Sequence, residues 1–150
     1  MTDRDRALSK AVDAQVDAAL DRFRGDNFDD LDEVDRVLVT LWGIETEVAN
    51  GGFDQFYFNG AGDLAFFAPT ALRLIGAHRM AEIASRANAL FGPQGPSRSG
   101  DERWRQLMAI PREDRDPWNR LTHEFGDYPD DVGQLLIEFL REHGRLQSAT

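Results

Sequence analysis

The sequence predicts an all-α protein, a single compact domain of about six to eight helices. Apolar residues recur at steps of three and four over most of the chain, which is the period of an amphipathic helix. No segment alternates apolar and polar residues for long, as a half-buried strand would. The length of 150 residues is typical of one domain. We therefore expect residues 1–150 to form one domain, with a mobile surface loop at 92–100 that is rich in Gly, Pro and Ser.

Two long helices are predicted in the N-terminal third. The first runs from Asp3 to about Arg24, and Gly25 ends it. The second begins after an N-cap at Asp29 or Asp30 and runs to about Ala49. We expect Asn50, Gly51 and Gly52 to form the C-cap of this helix, because Asn and Gly tolerate the left-handed conformation.

An aromatic turn follows the two glycines. Phe53, Phe56 and Tyr57 are spaced i, i+3, i+4 and would share one face of a short helix, with Asp54 and Gln55 off that face. We expect this face to pack in the core, because aromatic side chains dominate core burial. The alternative is that it lines a ligand pocket. If the aromatic face packs in the core, Gln55 and Asn59 would bond to backbone groups near the turn.

Five further elements are predicted after a loop at 59–62. Asp63 caps the next one, and Pro69 predicts either a kink or a new helix starting near Ala68. Helices follow over 77–91, 101–110 and 118–125. The last helix starts at Asp130 or Asp131 and fades after Gly144.

The composition argues against several classes of function. There are 27 acidic and 17 basic residues, giving a net charge of −10, so neither nucleic acid nor an anionic membrane is an expected partner. No apolar run approaches the roughly 20 residues of a membrane span. The absence of cysteine fits a reducing cytoplasm, where we expect the protein to reside.

Catalytic and cofactor motifs are lacking. His123 and Asp127 have the spacing of a helical metal pair, but no third ligand is evident. No nucleophile elbow or phosphate loop occurs. We expect no catalytic residue, no metal and no cofactor.

Acidic residues concentrate near the N-terminus. Asp13, Asp17 and Asp21 lie on one side of the first helix, about 6 Å apart along its axis. The segment 26–35 adds six more acids. The candidate partner-binding face, whose carboxylates would stand in for phosphates against Arg and Lys of a basic protein, comprises Asp13, Asp17, Asp21, Asp29, Asp30, Asp32, Glu33 and Asp35. The alternative is a solvated surface that only aids solubility.

Several motifs resemble those of a known family. They are Asn50-Gly51-Gly52-Phe53-x-Gln55-Phe56-Tyr57-x-Asn59, then Gly62-Asp63, Ala71-Leu72-x-x-Ile75-Gly76-Ala77, Trp118-x-x-Leu121-x-x-x-Phe125 and Leu135-Leu136-x-x-Phe139-Leu140. Over about residues 30–142 the chain resembles a bacterial, all-helical family of unknown function whose best-known member is described as a DNA-mimic protein. The matching residues are mainly of the types that determine the fold. The resemblance implies an all-α domain and an acidic surface that occupies the DNA-binding face of a transcriptional regulator.

Two other hypotheses remain open. The turn from Asn50 to Asp63 would frame a small-molecule or catalytic pocket, with Gln55, Asn59 and Asp63 as its polar groups. A purely structural domain, including a homodimer, is the other alternative.

Overall fold

Seven α-helices build the described part of the protein. The computed structural model describes residues 1–148, and within that range it contains no β-strand. The helices are α1 (Asp3–Arg22), α2 (Glu33–Phe58), α3 (Ala68–Leu74), α4 (His78–Ala89), α5 (Gly100–Ala109), α6 (Asp116–Gly126) and α7 (Val132–Glu142). Three 3-10 segments, Phe28–Asp30, Gly60–Phe67 and Arg112–Arg115, connect them. The prediction of a single compact all-α domain is confirmed. None of the helices in the described range is both long and apolar enough to cross a membrane.

Helix α2 forms the centre of the molecule. It packs against α1, α3, α5, α6 and the 3-10 segment Gly60–Phe67. Its side chains Val37, Leu38, Leu41 and Ile44 are almost completely buried. Since each buried aliphatic side chain contributes about 1.5–3 kcal/mol, this helix carries a large share of the core.

The break predicted at the Asn-Gly-Gly sequence is confirmed, although it falls about two residues later than the predicted end near Ala49. Helix α2 consists of two helical parts joined by a kink at Gly52 (φ +81°, ψ −177°), and the second part, which carries the aromatic residues, runs to Phe58. The interruption frees the amide of Phe53, which donates to the Thr122 hydroxyl oxygen at 3.1 Å. That hydroxyl donates in turn to the Trp118 carbonyl at 2.7 Å. The kink is thus bonded to α6.

The start of α2 also differs from the prediction. Asp32 is the N-cap, and its carboxylate accepts from the Asp35 amide at 2.8 Å. Asp29 and Asp30 belong instead to the preceding 3-10 segment. Several aspartates in this run could cap the helix. The turn that buries the Phe28 side chain includes Asp29 and Asp30, so Asp32 is the residue that caps α2.

The aromatic residues after the kink pack in the core, as predicted. Phe53, Phe56 and Tyr57 are buried, and the Phe53 and Phe125 rings meet edge to face at 5.7 Å. The Tyr57 hydroxyl donates to the Asn88 side chain at 2.7 Å, and that side chain donates to the Ala65 carbonyl at 2.9 Å. The buried hydroxyl of Tyr57 and the amide of Asn88 are therefore paired.

The later elements lie close to their predicted positions. Helix α3 begins at Ala68 with Pro69 in its first turn, which confirms the second of the two alternatives for that proline. The predicted loop at 59–62 is instead the first part of a 3-10 segment. In the loop 92–100, the Ser97 amide donates to Gln106 at 2.8 Å, which joins the loop to α5. The mobility of this loop stays a prediction.

A hydrogen bond joins α2 to the turn between α6 and α7. The Tyr128 hydroxyl donates to Glu45 Oε1 at 3.0 Å, and Tyr128 has a left-handed backbone (φ +49°). Burial raises the pKa of the Glu45 carboxyl, and the hydrogen bond from Tyr128 opposes this in part. Burial, together with the charge and hydrogen bond of Glu45, raises the pKa of Tyr128 to about 12. The fold therefore favours the protonated form of Glu45.

Replacing Gly52→Ala should destabilise the protein by about 1–3 kcal/mol, because its backbone angles are essentially restricted to glycine. A Cβ there would also lie 3.1 Å from the Thr122 hydroxyl oxygen. Gly60→Ala is the matched control, since nothing lies within 4 Å of its Cβ position and its φ is not positive. Urea unfolding measures the free energy of unfolding of both variants. Equal free energies of unfolding for the two variants would contradict this account of the kink.

Glu45→Gln should stabilise the protein more at neutral pH than at acidic pH. The folded protein holds the Glu45 proton more tightly than the unfolded chain does, so ionisation weakens the fold as pH rises above the ordinary pKa of 4.5. Glutamine removes that dependence and keeps an acceptor for Tyr128. Unfolding free energies at about pH 4 and about pH 7 measure the effect. Glu124→Gln, an exposed and unpaired residue within the described range, is the control. A Glu45→Gln effect that is independent of pH would contradict the expectation.

Candidate acidic face and motif groove

Five of the eight candidate acids are exposed and unpaired within the described residues. They are exposed, and their carboxylates have no hydrogen-bond or ion-pair partner within residues 1–148: Asp13, Asp17, Asp21, Asp30 and Glu33. We call these five residues the acidic face. Each has a carboxylate that water solvates and that a cationic side chain of another protein can approach.

Two other candidates are exposed but already paired. Asp29 accepts from Arg98 at 3.2 Å. Asp32, the N-cap of α2, pairs with Arg145 at 2.7 Å. Exposed pairs of this kind contribute little to stability, generally 0–1 kcal/mol or so, but they reduce the charge that these two residues offer to a partner.

Asp35 lies in the interior, so the expectation that it belongs to an exposed face is wrong. The residue is 3% exposed, and its carboxylate lies 3.0 Å from Arg22 and 3.1 Å from Arg145. A buried carboxylate is tolerated when cations and hydrogen bonds compensate its lost hydration. Here the compensating residues come from the end of α1 and from the segment after α7.

The ion pairs around Asp35 fix where the acidic face lies. They hold the last turn of α1 beside the first turn of α2, which places Asp21 at the same end of the molecule as Asp30 and Glu33. Asp17 and Asp13 follow along α1 at about 6 Å per step. The acidic face therefore extends from the start of α2 along α1.

The polar residues of the Asn-Gly-Gly motif bind a side chain, not the backbone groups that the sequence led us to expect. Gln55 and Asn59 both donate to Glu47 Oε2, at 2.8 and 2.9 Å. These bonds span the kink, because Glu47 precedes Gly52 and the two amides follow it. A Cβ at Gly51 would lie 1.9 Å from Gln55 Oε1. The Gln55 side chain can therefore extend to Glu47 only because residue 51 is a glycine.

Arg103 is a structural residue that sequence reasoning missed. Although its side chain is charged, it is only 1% exposed. Its guanidinium donates to the carbonyls of Tyr57, Asn59 and Ser97 at 2.6, 3.0 and 3.0 Å. It thereby binds two carbonyls at the end of α2, and the Asn59 carbonyl also accepts from the Gly62 amide at 3.0 Å. No sequence signal marked this role, because donor and acceptors lie more than 40 residues apart for two of the three bonds.

Asp63 does not cap a helix, contrary to the prediction. Its carboxylate pairs with Arg103 at 2.9 Å. Gly62 leaves room for this contact, since a Cβ there would lie 2.8 Å from Arg103 Nε and 2.6 Å from the Phe56 carbonyl oxygen. Both residues of the Gly62-Asp63 sequence thus serve the burial of Arg103.

A surface groove of about 500 Å³ lies beside the motif. Gln55 and Asn59 line it, whereas Asp63 does not, so two of the three polar groups expected around a pocket meet there. The other lining residues are Gly51, Asp54, Phe58, Leu107, Met108, Arg112 and Arg115. Burial raises the pKa of Asp54, and the nearby charge of Arg115 opposes this. Within residues 1–148 no three His, Cys, Asp or Glu side chains cluster as metal ligands would.

Comparison with known proteins gives one family. A protein-family model described as DMP19-like protein matches residues 29–143, which covers the chain from the first 3-10 segment to the end of α7. Helix α1 lies before the matched residues. No curated protein and no solved structure matches the chain.

Proposed function

Because this chain belongs to the DMP19-like family, we propose that it is a non-enzymatic interaction protein whose acidic face binds a basic partner. In this proposal the face takes the place of DNA on the DNA-binding surface of a protein such as a transcriptional regulator. The acidic residues would act as phosphate substitutes for the arginines and lysines of that surface.

The observation that carries the proposal is the set of open carboxylates on the acidic face. Proteins that bind DNA obtain most of their sequence-independent affinity by placing Arg and Lys against phosphates. Asp13, Asp17 and Asp21 recur at about 6 Å along α1, whereas one DNA strand carries a phosphate per about 3.4 Å of axis. The α1 row therefore has about half the charge density of one strand, and Asp30 and Glu33 add to it at one end.

The proposal rests partly on residues outside the part of the chain that the family model matches. Asp30 and Glu33 lie within the residues that the family model matches, but the three aspartates of α1 precede them. The ion pairs of Arg22 and Arg145 with Asp35 join that helix to the matched part. A partner that binds the whole acidic face would therefore contact α1 as well as the part of the chain that the family model matches.

Neutralising the acidic face should abolish capture of a DNA-binding partner. The test variant carries Asp→Asn at 13, 17, 21 and 30 and Glu33→Gln. The immobilised protein is used to capture partners from a lysate of the source organism at low salt. We expect the wild type to retain a basic DNA-binding protein that elutes as salt rises, because exposed charge pairs are screened over about 10 Å at 0.1 M salt. The variant should retain at least about tenfold less of it, a loss of about 1.4 kcal/mol.

A matched variant controls for net charge. It neutralises five exposed acids away from the acidic face, Glu113, Asp114, Glu124, Asp127 and Glu142, and so removes the same number of charges. This control should capture the partner as the wild type does. Equal capture by all three proteins, or equal loss in both variants, would contradict a role for this particular face.

A further inference from the structure

A groove separate from the motif lies beside helix α1. One wall is a side of α1, and the other is formed by the last turn of α7 and the segment after it, over residues 141–148. We call it the α1 groove. Its volume is about 550 Å³, within the range of roughly 300–1,000 Å³ that is typical of small-molecule sites. None of the acidic-face residues lines it.

The α1 groove is long and has apolar walls. Its apolar lining residues are Ala7, Leu8, Ala11, Ala14 and Leu146. The four that belong to α1 are placed at i, i+1, i+4 and i+7, so they follow one side of the helix. At 1.5 Å per residue, the lining from Arg4 to Gln15 extends for about 16 Å along the α1 axis. An extended apolar chain can therefore lie along this side of α1.

The charged side chains that line the α1 groove within residues 1–148 are all arginines: Arg4, Arg141 and Arg145. Arg145 is already engaged, since its guanidinium pairs with Asp35. Arg4 has no hydrogen-bond or ion-pair partner in the described range. Arg141 donates through Nε to the Gln147 carbonyl at 3.1 Å, and its two terminal nitrogens have no partner in the same range. Two guanidinium groups therefore remain open to an anion.

We infer that the α1 groove binds a fatty carboxylate, that is, one carboxylate on an unbranched apolar chain. The chain would lie against the alanines and leucines of the walls. The carboxylate would accept charge-assisted hydrogen bonds from Arg4 or Arg141. Charge complementarity selects an anion, because neither Asp nor Glu lines this groove in a chain whose net charge is −10.

Two observations favour a single carboxylate over an acidic peptide. Beyond its first turn, the main-chain groups of α1 are bonded within the helix, so this wall offers side chains only. A peptide lying there would leave its own amides and carbonyls without partners, whereas a polymethylene chain has no such groups. The acidic face on the same helix would also repel a segment with several charges more strongly than one carboxylate, since screening extends over about 10 Å at 0.1 M salt.

The inference is independent of the proposed function. Ala11, in the middle of the α1 groove, and Asp17, in the middle of the aspartate row, are six residues apart in the sequence. At 3.6 residues per turn they lie about 120° apart around α1. The two surfaces thus occupy different sides of one helix and attract ligands of opposite charge. Either one can fail its test while the other passes.

Nuclear magnetic resonance of the ¹⁵N-labelled full chain, titrated with decanoate, tests the inference. Two matched probes separate the contributions of charge and chain, because decanol keeps the chain without the charge and butyrate keeps the charge on a short chain. Decanoate should shift the amide resonances of Leu8, Ala11 and Leu146 in a saturable manner. Decanol and butyrate should each bind at least about tenfold more weakly.

Variants on α1 and α7 locate the site. The double variant Arg4→Gln/Arg141→Gln should weaken decanoate binding by about tenfold or more, because it removes both open guanidinium groups. Ala11→Phe should abolish binding, since the ring would fill the middle of the groove. Lys10→Gln is the control, as it removes an exposed, unpaired cation from another side of α1 within the described range. It should bind decanoate as the wild type does.

Several results would overturn the inference. They are the absence of a saturable shift with decanoate, equal affinity for decanol or butyrate, and a loss in Lys10→Gln equal to that in the double variant. Tighter binding of a capped hexapeptide that alternates Asp with Leu would assign the groove to a protein partner instead. Shifts of the same amides on dilution of the chain alone would assign it to a second copy.

Discussion

The kink at Gly52 is the constraint on which the rest of the structure depends. Gly52 has backbone angles that essentially only glycine adopts, and it bends the central helix. The bend leaves the Phe53 amide free of the helix, and this amide donates a hydrogen bond to the Thr122 hydroxyl oxygen of α6. The second part of α2 then directs Phe53, Phe56 and Tyr57 into the core. Its end is held by Arg103, whose guanidinium donates to the carbonyls of Tyr57 and Asn59. Gln55, Phe58 and Asn59 of the same turn line the surface groove beside the motif.

The motif can now be explained residue by residue. Gly51 makes room for Gln55, and Gly52 supplies the kink. Gln55 and Asn59 hold Glu47 across that kink. Each role concerns how the two parts of one helix meet, which accounts for the glycines and amides of the motif.

Periodicity in the sequence was sufficient to predict the helices, although residues 37–41 of the central helix α2 are all buried and so do not form a single apolar face. The break at the Asn-Gly-Gly sequence and the short helix after it were also predicted from these residues. The burial of Asp35 and Arg103, in contrast, was beyond local reasoning. Asp35 pairs with Arg145, which is 110 residues away in the sequence. Charged residues of this kind look like surface residues until the fold brings their partners to them.

The same limit applies to the candidate site. The charge pattern of the sequence predicted where the acidic face lies, but it did not predict which of the acidic residues belong to it. The fold engages Asp29, Asp32 and Asp35 with arginines, and five candidates remain open. The arginines concerned, residues 22, 98 and 145, come from three separate parts of the chain. Only the three-dimensional structure distinguishes an acid that stabilises the fold from one that a partner can contact.

The central claim is that the acidic face takes the place of DNA, and competition tests it most directly. A captured DNA-binding partner would be loaded with its labelled duplex and titrated with this protein at fixed salt. The account predicts that the protein releases the duplex, that excess duplex reverses the effect, and that the variant lacking the acidic face does not compete. A stable ternary complex of partner, duplex and this protein would contradict it, because both ligands would then occupy different surfaces.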